Sequence, residues 1–353
     1  VAVSKPESEG ATAAQQTAEL LARAGAAWLG PARRNLCAML GQDRLPHALL
    51  LLGRQGAGQV EVGLWLAALL LCDRKGEAPC RECAGCRLLL AGTHPDFYRV
   101  GIEEDASVIR VEQIRELSEN LSLKSYRGRR KVALVDPADA MNPNSFNALL
   151  KTLEEPTDNT YLILTASRSD RLPRTIMSRS ARLRVPVPAT AEGLAWLDGQ
   201  RQHGGWERLL KLANGAPFLA LKYADVGLEA IDAKMQEAVD SAVSGQLDIV
   251  ATAATWTRDQ PEARLFWLEY WLTNQLREAA LSGALANDNR LPWLRVDRRE
   301  PMIRAGYRLL DALREARLLL SSALNRQLLL EGLLISFAGF AGEGAITERE
   351  SVD

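Results

Sequence analysis

The sequence predicts a doubly wound α/β domain followed by a wholly helical region. Three observations carry this. Two continuous apolar runs, Lys131-Val132-Ala133-Leu134-Val135-Asp136 and Tyr161-Leu162-Ile163-Leu164-Thr165, suit strands buried on both faces of a parallel sheet, with a helical pattern between them. A third run, His47 to Leu52, leads into a glycine-rich turn, Gly53-Arg54-Gln55-Gly56-Ala57-Gly58-Gln59-Val60. From about Gly227 onward the apolar residues recur at helical spacing.

The helix between the two runs has readable ends. Asn142 suits the N-cap and Pro143 the first helical position. Phe146, Leu149, Leu150 and Leu153 form one apolar face, and Pro156 stops the helix because it lacks an amide hydrogen. Upstream, Trp28 to Gly41 reads as a helix, and Ile109 to Leu123 as an amphipathic one with Val111, Ile114, Leu117 and Leu121 inward. Ala181 to Val185 is the expected last strand, and Pro186 and Pro188 mark a boundary. Thr190 to Val226 should be a small helical segment built on Trp206, Leu209, Leu210 and Leu212. Further on, Phe266, Trp267, Tyr270, Trp271 and Leu276 make one apolar face, Met302, Leu309, Leu310 and Leu313 a second, and Leu328 to Phe337 a third.

A chain of 353 residues suggests two or three domains. A net charge of −1 gives no global nucleic-acid signature, so any DNA contact must come from a local patch. No apolar run reaches membrane-spanning length without charge. Residues 1–25 lack the basic and apolar regions of a secretory signal and read as a mobile extension or a loosely held helix; the opening Val suggests an omitted start Met. A cytoplasmic location is expected.

Cys72, Cys80, Cys83 and Cys86 form C-x7-C-x2-C-x2-C, with Gly and Pro between them. Four soft thiolates at this spacing suit a closed, structural tetrahedral zinc site. Two disulfides are the alternative, disfavoured in the reducing compartment expected without a secretion signal. Cys37 reads as a small core residue, His47 as a strand-end residue satisfied by backbone, and His94 as part of a turn rather than a fifth zinc ligand. Arg127-Gly128-Arg129-Arg130-Lys131 places four cations in five residues; a solvated loop is favoured over phosphate contact.

The glycine turn keeps the outline of a phosphate loop without its chemistry. Gly53, Gly56 and Gly58 hold the turn positions. The Lys that would reach the β and γ phosphates is Gln59, and the hydroxyl that would ligate Mg²⁺ is Val60.

Asn147-Ala148-Leu149-Leu150-Lys151-Thr152-Leu153-Glu154-Glu155-Pro156, then Leu172-Pro173 and Ile176-Met177-Ser178-Arg179, closely resemble the bacterial clamp-loader ATPase family of AAA+ proteins. Leu45-Pro46-His47-Ala48, the Thr93 to Asp96 turn and the cysteine module add to the resemblance, which thins toward the C-terminus. It implies an AAA+ (P-loop NTPase-like) parallel-sheet domain at 27–188 with a zinc module at 72–86. A helical lid at 189–226 and a helical collar for assembly at 227–338 would follow. Residues 1–26 would be an extension and 339–353 a flexible tail.

Active members of the family carry Glu after the strand-ending Asp; here Pro137 follows Asp136. They also carry Gly-Ser-x-Arg where this chain has Gly215-Ala216-Pro217-Phe218. The resemblance therefore implies a non-catalytic subunit, without productive ATP or Mg²⁺ binding, that helps load a sliding clamp onto primed DNA. Its partners would be gamma/tau-type and delta-type subunits in a pentamer and, indirectly, the clamp and primer–template DNA. The family's Ser-Arg-Cys motif, here Ser178-Arg179-Ser180, implies that Arg179 acts as an arginine finger in a neighbour's ATP site; an ion pair of Arg179 with Glu154 or Glu155 is the alternative. Two competing functions are an active ATPase subunit of the same assembly and a zinc-dependent nucleic-acid binding module.

Overall fold

The computed structural model describes residues 7–74, 76, 78–103, 106, 108–225, 227–281, 299–320 and 325–342. The chain divides into two compact units, Val1–Leu221 and Lys222–Asp353. The first is built on a five-stranded sheet of β1 (Ala48–Gly53), β2 (Phe97–Val100), β3 (Lys131–Val135), β4 (Thr160–Ala166) and β5 (Ala181–Val185). The spatial order is β2-β3-β4-β1-β5 and every pairing is parallel. The registers Ala48↔Leu162, Lys131↔Thr160 and Phe97↔Val132 fix it.

Side chains alternate between the two faces, as the strand period requires. Leu49, Leu51, Val132, Leu134 and Ile163 enter one buried cluster; Leu50, Ala133, Val135, Leu162 and Leu164 enter the other. On the first face lie residues of α1 (Glu7–Arg23), α2 (Gly30–Gly41), α3 (Gln59–Leu71) and α4 (Ala84–Leu90). On the second lie α5 (Val111–Ser122), α6 (Pro143–Glu154) and α7 (Arg174–Arg179). The expected start of α6 is present: the Asn142 side chain accepts a hydrogen bond from the Ser145 amide at 2.9 Å. The segment read as an N-terminal extension carries α1, whose Leu21 is buried in the first cluster beside Ala24.

α3 is buried on every side apart from its second residue, Val60. A helix apolar all round belongs in a core. Gly63 lets it sit close to the sheet: a Cβ there would meet Leu134, Ile163 and Leu51 side chains at 3.1 to 3.3 Å. Lys131 also lies inside rather than on the loop before it. Its Nζ donates to the carbonyl oxygens of Leu121 and Leu123 and to Thr157 Oγ1, fastening the end of α5 to β3. The edge strand β2 was not predicted. Three half-exposed residues interrupted by the exposed Arg99 give no apolar run to read.

Three helices, α8 (Thr190–Gln200), α9 (Trp206–Leu212) and α10 (Pro217–Asp225), follow β5. The second unit contains α11 (Leu228–Val243), α12 (Ile249–Arg258), α13 (Pro261–Leu281), α14 (Arg299–Leu319) and α15 (Arg326–Gly342). Leu268, Leu272, Leu313, Leu330, Leu334 and Phe337 are buried in it. The Trp267 indole N–H donates to buried Asp232 at 2.6 Å, and Arg264, almost fully buried, pairs with Asp259 at 2.5 Å. The third apolar face read from the sequence splits: Leu330, Leu333, Leu334 and Phe337 are buried, while Leu328 and Ile335 are exposed. The expected tail, 339–353, lies outside the described residues beyond position 342.

Glu61 is a carboxylate sealed beneath the sheet among apolar neighbours. Glu61, on the first turn of α3, is about 5% exposed. Burial pushes its carboxyl up to about 7, against a bond to its own backbone and the cations of Arg23 and Arg99, with Asp136 pushing the same way as burial. Its unfolded value is the ordinary 4.5, so the native state holds the extra proton. The stability this provides is fully present below pH 4.5 and is lost as pH rises through about 7. Glu61→Gln, which keeps shape and removes the ionisation, should be more stable than wild type at pH 8 by up to roughly 3 kcal/mol, with the difference shrinking toward pH 6. Urea unfolding of both proteins across that range is the measurement; parallel pH profiles would contradict it.

Candidate functional site

The glycine turn connects β1 to α3 and adopts backbone conformations suited to glycine. Gly56 has φ +76° and Gly58 φ +121°. The loop is packed from above by the start of α10. A Cβ on Gly56 would lie 2.5 Å from both the Leu219 amide nitrogen and Leu219 Cβ. The Phe218 amide donates to the Gly56 carbonyl at 3.2 Å, and Arg54 donates to the Asn214 carbonyl at 3.1 Å. The Trp28 indole N–H donates to the Ala57 carbonyl at 2.9 Å.

Phe218 itself is buried in an aromatic trio. Its ring centroid lies 5.2 Å from Trp28 and 4.9 Å from Trp196, and those two rings are 5.7 Å apart edge to face. Gln59, at the position where a phosphate loop has Lys, turns back into its own loop. Its Nε2 donates to the Gly53 carbonyl at 3.3 Å and to Ser167 Oγ at 3.2 Å, and its Oε1 is buried without a partner. Val60 presents only methyl groups to the first turn of α3.

At the end of β3, Asp136 Oδ1 accepts the Thr165 hydroxyl at 2.5 Å and Oδ2 lies 3.8 Å from Arg99. Burial pushes its carboxyl above the usual range, partly offset by the Thr165 bond and Arg99. Asp136 is thus engaged on both oxygens at the strand end. The residue after it, Pro137, offers no side-chain acid or base.

The two motif blocks meet at one point. Arg179 ends α7 and Glu154 ends α6. The Arg179 guanidinium lies 2.6 Å from Glu154 Oε1 and also donates to the Thr175 carbonyl at 3.2 Å. Both side chains are solvent-accessible, at 37% and 49%. Ser178 Oγ donates to the Thr175 carbonyl within the same short helix.

The four cysteines converge. Their sulfurs all lie within 4.8 Å of one another, with Cys72 to Cys83 at 3.8 Å and Cys80 to Cys86 at 4.0 Å. All four are free thiols. Thiolates placed tetrahedrally around an ion at about 2.3 Å are spaced by about 3.8 Å, so the set fits a four-sulfur ion site. Backbone amides of Asp73 and Cys86 point at Cys83 Sγ, and that of Cys83 at Cys80 Sγ, at 3.3 to 3.4 Å. Backbone donors draw the Cys80 thiol down to about 6, while burial pushes Cys72 and Cys86 up. His94 stands apart in its turn, its Nδ1 accepting the Asp96 amide at 3.1 Å. His47 Nε2 contacts the Leu153 carbonyl at 3.0 Å, the backbone partner expected of a strand-end His.

Several participants were not legible beforehand. Leu219 and Ser167 carried no signal, since one is an ordinary helix residue and the other an ordinary loop residue. Asp73 fastens the cysteine module to the basic loop: it accepts the Gly85 amide at 3.0 Å and pairs with Arg127 and Arg129 at 3.2 Å. Only the fold brings positions this distant in sequence together.

Known proteins share this pattern. The family described as "DNA polymerase III, delta subunit" matches residues 30–188. DNA polymerase III subunit delta' of Pseudomonas aeruginosa is 35% identical across 86% of this chain and 95% of its own length. The subunit of the same name from Escherichia coli K12 is 32% identical over 71% of this chain and 75% of its own. DNA polymerase III subunit tau of E. coli K12 is 32% identical over 59% of this chain but only 33% of its own length. Coverage nearly end to end at this identity, on a parallel sheet with a four-cysteine module and a helical C-terminal unit, establishes that the chain belongs to the DNA polymerase III delta prime subunit family.

Proposed function

We propose that this chain is a non-catalytic delta prime subunit of a clamp loader, which helps place the sliding clamp on primed DNA and lends Arg179 to the ATP site of a neighbouring subunit. The observation that carries this reading is a contrast within one unit. The glycine loop is packed against Phe218 and Leu219 with Gln59 turned into it, while Arg179 stays at the surface on an exposed carboxylate. A loop in that state lacks the cation and hydroxyl that hold Mg-nucleotide. An arginine needed for this chain's own nucleotide would have no task here. Arg179 instead offers a planar fork suited to phosphate oxygens.

Assembly fits the same reading. Leu328 and Ile335, seven residues apart on α15, project from one helix face into solvent in the single chain. We assign residues 189–226 to a lid and 227–338 to a collar through which gamma/tau and delta subunits complete the pentamer, with clamp and DNA reached through the assembly.

The cysteine module takes Zn²⁺ on Cys72, Cys80, Cys83 and Cys86, with no fifth position left for chemistry. When bound, the ion supplies a four-way cross-link. Cys86→Ser should lower the zinc content from one per chain to none and cut the thermal stability of the first unit, because metal binding and folding are linked in such sites. Metal analysis with a melting curve checks both; a metal-free wild-type protein of undiminished stability would refute the assignment.

Arg179→Ala and Arg179→Lys should leave folding and zinc content intact, since an exposed ion pair is worth about 0–1 kcal/mol. Both should cut the ATP turnover and clamp-loading rate of the reconstituted complex, by on the order of 10³-fold for a fully committed finger. Glu154→Gln, which only frees the arginine, should retain turnover. Unchanged turnover by a complex shown to contain the Arg179→Ala subunit would leave Arg179 as the ion-pair partner of Glu154 and nothing more.

A further inference from the structure

A large cavity of about 1280 Å³ opens on the first unit between α2, α3, the cysteine-bearing segment from Cys72 to Ala78 and the loop that leads into β3. It lies apart from the glycine loop, Arg179 and Asp136, none of which lines it. Five arginines line it: Arg33 and Arg34 from α2, Arg74 from the cysteine-bearing segment, and Arg129 and Arg130 from the β3 approach. The chain as a whole is nearly neutral, so this is a local concentration of positive charge.

The state of these arginines argues for a ligand. The Arg33 Nε is buried and has no hydrogen-bond partner among the described residues. Its guanidinium lies 5.9 Å from the centroid of the Trp65 ring, and that of Arg130 lies 5.9 Å from the Tyr161 ring. Aromatic faces hold such groups in place while leaving their N–H edges unspent. Among the described lining residues, Asp73 is the one carboxylate, and it is already taken up by the Gly85 amide, Arg127 and Arg129. Arg74 is paired with Glu82 and Arg129 with Asp73, which leaves Arg33, Arg34 and Arg130 facing the trench to neutralise an external polyanion.

We propose that this groove binds the backbone of single-stranded nucleic acid. A cationic trench whose guanidiniums are held beside Trp65 and Tyr161 with their N–H edges free suits sequence-tolerant contact with a phosphate backbone. Phosphodiesters carry one charge per residue whatever the sequence, and so can meet several arginines in a row. An acidic peptide would need a run of carboxylates to do the same. Membership in a DNA polymerase III family favours the nucleic acid, and the proposal uses that membership alone, not the clamp-loading reading. It also amends the expectation that the Arg127 to Lys131 stretch is a solvated loop: Arg127 is paired, Lys131 is buried, and Arg129 and Arg130 turn to the groove.

The test uses the full chain alone with a fluorescent oligo(dT), followed by anisotropy across a salt series. Saturable binding is expected, weakening as salt rises, with a log–log slope of about −0.7 for each phosphate neutralised. Arg34→Ala/Arg130→Ala should weaken binding at least tenfold and flatten the slope by about 1.4, the share of two phosphates. Arg34→Lys/Arg130→Lys should keep most of the slope, and Arg304→Ala, at an exposed arginine of the second unit, should bind like wild type. Thermal melting identifies any variant that fails to fold, in which case Arg34→Ala alone is read instead. Absence of oligo(dT) binding at low salt, or a double-alanine variant with unchanged affinity and slope, would overturn the proposal. So would a Glu-rich peptide that binds more tightly than oligo(dT) and displaces it. Because no partner subunit is present, none of these results bears on clamp loading.

Discussion

The seat of α3 is the constraint on which the first unit depends. The helix is buried on nearly every side, so the turn that feeds it must bring the chain from the end of β1 straight into the core. That turn leaves no room for side chains. A Cβ on Gly53 would lie 2.7 Å from the Val185 carbonyl oxygen, and one on Gly58 would lie 2.6 Å from the Leu29 side chain. With Gly63 beneath, these glycines are needed to pack a helix. Packing alone accounts for the glycines of this turn.

Charge is handled by position in this molecule. Buried charged groups are tied to specific partners: Lys131 to two carbonyls and a hydroxyl, Arg264 to Asp259, Asp136 to Thr165. Burying an ionised group is costly unless such bonds replace its hydration. Asp73 serves a wider purpose, since one carboxylate joins the cysteine module to the loop before β3. The short cysteine-bearing segment has little core of its own, and Cys86 is its most buried sulfur. Its position on the sheet therefore rests on this ion-pair network and on α4.

The sequence made the central strands legible because strands buried on both faces must be continuously apolar. The start of α6 was legible because Asn142-Pro143 states the cap in local chemistry. The edge strand β2 escaped because a half-exposed strand containing Arg99 obeys no such rule. The cysteine site was readable as a spacing, and its four sulfurs do converge. Around the glycine loop, Gln59, Val60 and Phe218 stood out by what they are not. That Phe218 joins Trp28, or that Leu219 lies on Gly56, depends on contacts across more than 150 residues of chain, which no local pattern encodes.

The Arg179–Glu154 pair has a kinetic side as well. Both partners sit at helix ends in contact with water, and no buried group locks either one. Exposed side chains change rotamer on the picosecond-to-nanosecond scale, whereas domain and lid rearrangements take microseconds to milliseconds. The guanidinium therefore leaves and rejoins its carboxylate many times during any slower motion of the surrounding protein. An incoming anion meets an arginine already in exchange with water.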